Sequence, residues 1–185
     1  MMMLVVAVAS AALFVTMLGV SRARQARRDV RRDMGGPYRT TMLERIIRAE
    51  RPGERLVAAG GALLACAAGP ALIVSLLTLK WEGIGVTLIP ALLVVAARLY
   101  ASLVTFRGGG QGVARVIAHA SLLLDAPLFV FSIVHLGATP MPPIEDGHES
   151  LSLAVVAGTF ALADGLQALL VLTMPASSVS EPIRE

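Results

Sequence analysis

"LVAAGGALLACAAGPALIVSLLTL", Leu56–Leu79, runs for 24 residues without a charged side chain. A helix of about 20 apolar residues spans the hydrocarbon of a bilayer. Four other stretches reach a similar length: Met2–Val20, Ile84–Phe106, Val116–Leu136 and Leu151–Met174. The first carries no charge, and the other three each contain one Asp or Arg: Arg98, Asp125 and Asp164. The pattern predicts an all-α integral membrane bundle of five transmembrane helices. Pro70, Pro90 and Pro127 fall inside these spans, where proline is tolerated as a kink.

Composition agrees. The chain has 185 residues, 56% of them hydrophobic, with a mean hydropathy of +0.74. A soluble domain of this size has too little interior to hide so much apolar surface. Aromatic residues are only 4%, so Ala, Leu and Val carry the hydrophobicity, as suits helices that pack closely in lipid. Cys66 is the single cysteine. It excludes an intrachain disulfide and reads as a small packing residue.

The first span lacks the basic residues that precede the apolar core of a signal peptide, and it is expected to remain as an anchor. Residues 21–55 follow as an Arg-rich cytoplasmic juxtamembrane segment holding eleven arginines. Helix one is expected to run on until Gly35-Gly36-Pro37 stops it. A short amphipathic helix is expected over 41–51, with Thr41 and Glu44 as a capping box. Leu43, Ile46 and Ile47 share its apolar face, and Pro52-Gly53 ends it. It should lie on the membrane surface. Residues 137–150 form an acidic loop with Glu145, Asp146 and Glu149, and 175–185 form the tail.

Lys and Arg near span ends stay in the cytoplasm. Five spans place fourteen of them on one side and Lys80 alone on the other. The N-terminus is therefore expected outside and the C-terminus inside, in a plasma or inner membrane, with the acidic loop facing outward. The partners this implies are the lipid bilayer, anionic lipid headgroups along the arginines, and a membrane protein partner or further copies of the chain. Nucleic acid is not expected, because the arginines lack interleaved aromatics.

The interior charges are the sharpest feature. At 1.5 Å per helical residue, Arg98, Asp125 and Asp164 each lie about 15 Å from the inner boundary. An unpaired charge at that depth costs at least about 2.5–3.5 kcal/mol, and arginine cannot readily shed its proton. Arg98 therefore needs an acid. We expect Asp125 to face it with Asp164 beside, supported by Ser102, Ser121, Ser132 and Gln167. Such a cluster serves either as a static clamp between helices or as a proton or ion site. A small-residue ladder, Gly61, Ala65 and Gly69, is expected to form a helix-packing face.

Other chemistry is thin. "EDGHE", Glu145–Glu149, with His135 nearby has no metal-ligand spacing, and "RGGGQG" lacks the lysine of a phosphate loop. His119 reads as an interfacial polar residue. No catalytic residue, metal or cofactor is expected. The leading expectation is a non-enzymatic membrane subunit or scaffold. The alternative is a small proton- or ion-coupled permease using the Arg98, Asp125 and Asp164 site.

Overall fold

A computed structural model describes residues 2–32, 39–78, 84–107, 111–138 and 147–174. They form helices α1 (Met2–Arg32), α2 (Arg39–Leu63), α3 (Gly69–Thr78), α4 (Ile84–Phe106), α5 (Gln111–Ala138) and α6 (Gly147–Leu172). A π-helical turn, Leu64–Ala68, joins α2 to α3 into one rod. The described residues contain no strand, and five of the rods are long and apolar enough to cross a membrane.

Helix contacts close a ring: α1 on α2, α2 on α4, α4 on α5, α5 on α6, and α6 back on α1. The α3 segment leans on both α4 and α6. Half of the α2–α3 span and half of the α6 span are buried inside the bundle, a larger share than in the other three. These two rods therefore sit nearest the middle, and the polar residues of α6 are held in the interior.

The two ends of the bundle pack differently. Away from the arginines, Leu64, Leu72, Leu76, Val94, Leu128 and Phe160 interlock around small residues such as Ala68, Ala91 and Ala157. Such close van der Waals packing is what holds together rods of membrane-spanning length. At the arginine-bearing end the core is smaller, with Val20, Ala23, Val57, Ala118 and Val171 among its members.

Backbone approach is closest between α1 and α2. A Cβ on Gly19 would stand 2.6 Å from the Gly53 carbonyl oxygen, and one on Gly53 would stand 2.6 Å from that of Gly19. Farther along, Gly60 presses on Thr16 and on the Ala12 carbonyl. This crossing corrects two expectations. Pro52-Gly53 does not end a short surface helix, because α2 continues through Pro52 to Leu63. Nor does the segment lie free on the membrane: Ile46 and Glu50 are buried. Proline removes one hydrogen bond, and the packing of Gly53 on α1 holds the helix together there.

Pro70 has its own effect. Its ring and missing N–H disturb the turn before it, and there the chain widens into the π turn, where Gly69 N–H bonds the Leu64 carbonyl. Cys66, within that turn, is exposed rather than packed. Helix α5 begins at Gln111, so part of "RGGGQG" is helical, and α6 begins at Gly147, inside the expected acidic loop. Gly35-Gly36-Pro37, Lys80, Glu145, Asp146 and the tail 175–185 lie outside the described residues.

Candidate functional site

Arg98 projects from α4 into the bundle and is almost wholly buried. Its partner is Asp164 of α6: Arg98 Nε donates to Oδ1 at 2.5 Å and Nη2 to Oδ2 at 3.0 Å. Nη2 also donates to the Asp164 backbone carbonyl at 2.9 Å. This is the bidentate fork that guanidinium and carboxylate geometries favour. The expected pairing is thereby corrected. Arg98 takes Asp164, because α6 lies nearer the middle of the ring and offers a carboxylate and a carbonyl together.

Asp125 of α5 comes next to this pair. Its carboxyl is buried and interacts with those of Asp164 and with Arg98. Neither Asp125 oxygen has a hydrogen-bond partner among the described residues. Two carboxylates offer only acceptors to one another, and a proton on one converts the contact into a hydrogen bond. One guanidinium facing two acids also leaves an excess negative charge in a medium that solvates charge poorly. A single shared proton removes both difficulties.

Polar neighbours extend the site along the helices. Ser132 donates to the Ala154 carbonyl at 2.6 Å and fastens α5 to α6, with Gly158 leaving room for it. Ser121 is fully buried and its hydroxyl has no partner among the described residues. Gln167 Nε2 makes two long bonds, to Thr16 Oγ1 and to the Val57 carbonyl, both 3.4 Å. Its Oε1 has none. Gly61 faces Ser102 of α4 and Gln167, Ala65 is buried, and Gly69 meets Val95. The ladder therefore faces the bundle interior.

A narrow cleft enters the bundle beside these residues. Its lining runs from Arg98, Ser102, Gln167 and Gly61 inside the bundle to Thr105 near the end of α4, Arg115 near the start of α5 and Met174 just past α6. Asp125 does not line it.

Arginines also brace the end of α6. Arg115 Nη2 donates to the Met174 carbonyl, and Arg24 Nη2 donates to the Thr173 carbonyl at 3.3 Å. Cations at a helix C-terminus satisfy its free carbonyls and its dipole. Arg27 pairs with the buried Glu50 at 3.6 Å. The signal for Glu50 lay in the sequence. It follows Leu43, Ile46 and Ile47 at helical spacing, on the same apolar stripe. His119 is exposed, its Nδ1 2.9 Å from the Arg115 carbonyl. The side chains of His135, His148 and Glu149 lie outside the described residues. Among those described, no group of His, Cys, Asp or Glu is placed to hold a metal.

The architecture defines a class: a five-rod α-bundle of membrane-spanning length around a buried ionic site. No protein-family model, curated protein or solved structure matches the chain.

Proposed function

We propose that this is a multi-pass membrane protein working as a small proton- or ion-coupled permease, with Arg98, Asp125 and Asp164 as its coupling site. One observation carries the reading: Asp125 is buried next to an Arg98–Asp164 pair that is already complete. A clamp needs one acid for one arginine. The second acid suits a group that gains and loses a proton or a cation. Intramembrane ionisable residues commonly mark such pathways.

The arginine-bearing end is the cytoplasmic one on this reading, since Lys and Arg are retained there. The N-terminus is then outside and the membrane is a plasma or inner membrane. Anionic lipid headgroups are the partners of the exposed arginines. Arg24, Arg28 and Arg32 line one groove there, floored by Met17 and Leu170.

Flux in proteoliposomes tests the proposal. A proton gradient should collapse faster with the wild-type protein than with empty vesicles, and Asp125→Asn should remove the difference while the protein stays folded. Equal flux through Asp125→Asn would end it. The second reading, a non-enzymatic subunit or scaffold, draws on the outward apolar faces, such as Leu93, Leu103, Ile133 and Leu162. It predicts no flux and a co-purifying membrane protein partner.

A further inference from the structure

We infer that the cleft between α2, α4, α5 and α6 is a one-sided entry for water and protons, opening to the mid-membrane pair only from the arginine-bearing end. The inference deepens the permease reading but concerns access rather than transport, so each can fail alone. Three observations meet here. The cleft runs from Arg115 to Arg98, and Arg98 to the last turn of α4 is seven residues, a depth of about 10 Å.

The second observation is Gln167. It lines the cleft, is 2% exposed, and has an Oε1 without a partner. A buried amide oxygen with nothing to accept from is costly. An ordered water needs about two to four polar partners. Gln167 Oε1, Ser102 Oγ and the Arg98 guanidinium supply them at the cleft's deep end.

The third observation is the seal beyond it. Past Arg98, Val94 and Ala91 on α4 are fully buried, as are Phe160 and Ala157 on α6. They belong to the interlocked core of the other half. Asp164 does not itself line the cleft, and Arg98 stands between them, so a proton on a cleft water reaches an Asp164 oxygen only when the guanidinium swings aside, and from there it passes to the adjacent Asp125 carboxyl. It cannot continue through packed methyl and phenyl groups. Exit on the far side would require those residues to part.

Thiol accessibility tests this without any flux measurement. With Cys66→Ala as background, Ser102→Cys places a thiol deep in the cleft and Thr105→Cys one nearer its mouth. Ala91→Cys places one in the sealed half. Each variant is reconstituted in vesicles of known orientation and exposed to a membrane-impermeant thiosulfonate from one face at a time. From the arginine-bearing face, Thr105→Cys and Ser102→Cys should react in that order. Each should react at least about tenfold faster than from the opposite face, since a thiol reacts only where solvent reaches it. Ala91→Cys should be inert from both. Should Ser102→Cys fail to fold, Ala58→Cys, on the facing wall of the cleft, reports the same route. Protection of every cleft thiol from both faces, or faster reaction from the opposite face, overturns the inference. Entry shown by these thiols alongside absent flux would remove the permease and leave the cleft.

Discussion

The two halves of this bundle solve the same packing problem with different materials. Away from the arginines, Leu72, Leu128 and Phe160 fill the space between rods with hydrocarbon. Toward the arginines, a guanidinium, two carboxyls, an amide and several hydroxyls occupy the interior, and a cleft stays open beside them. A core of apolar side chains needs only volume and shape. A polar core in a low-dielectric medium needs every donor and acceptor matched. Asp125, Ser121 and Gln167 are left unmatched, all in the half with the cleft or at its border. On the permease reading, one half is the part that stays shut and the other the part that exchanges protons or ions.

The largest effect should come from removing the partner of Arg98. Asp164→Asn takes both carboxylate bonds from Arg98 and leaves Asp125 as the acid beside it, and breaking such a pair is expected to cost up to about 3–5 kcal/mol. Unfolding followed in mixed detergent micelles should show it. The double variant Arg98→Met with Asp164→Leu should recover most of that loss, because a buried ion pair can be exchanged for hydrocarbon with little penalty. Failure to recover would mean that the polar half depends on its charges for more than mutual neutralisation.

A smaller effect is expected at the helix crossing that supports both halves. Gly60→Val drives two methyl groups into Thr16 and the Ala12 carbonyl, and overpacking of this kind costs about 1–3 kcal/mol. Gly112→Ala is the control. Nothing stands within 4 Å of its Cβ position, so the variant should unfold no earlier than the wild type. If Gly60→Val were as stable as Gly112→Ala, the α1–α2 contact would not be what positions Gln167 and Thr16.

The smallest effect concerns the end of α6. Arg115→Ala removes the donor to the Met174 carbonyl and should destabilise by about 0.3–1 kcal/mol. The loss should fall as salt is raised, and that dependence is the measurable signature. An effect as large as that of Asp164→Asn would move the structural centre of the polar half from Arg98 to the cleft mouth.

Much of this was legible beforehand, for a physical reason. Lipid imposes length and apolarity on every crossing segment, so Leu56–Leu79 announces itself. Mid-depth charges are equally visible, since few residues other than Arg98, Asp125 and Asp164 break those runs. Their pairing was not legible. Depth along a helix follows from counting residues, whereas rotation about its axis depends on which neighbour each face meets. Asp125 and Asp164 are equal in depth, and α4 neighbours α5 in the ring, so it is the deeper burial of α6 that brings Asp164 to Arg98. The fate of Pro52 was hidden for a similar reason. A proline reads locally as a stop, and the Gly19–Gly53 contact that carries α2 past it joins residues 34 positions apart. Glu50 was readable on its stripe, but an acid at an apolar position invites dismissal unless its partner Arg27 is known.

The π turn at Leu64–Ala68 has an implication of its own. Such a bulge accommodates one surplus position within an otherwise regular helix. Deleting a residue from an ordinary stretch of α4 or α6 would rotate everything beyond it by about 100° and point buried groups outward. Deleting one from the bulge would instead let the turn relax to α geometry, with Gly53 and Leu72 keeping their facings. The α2–α3 rod thus contains a spare register position, the place where this chain could shorten without scrambling its interior.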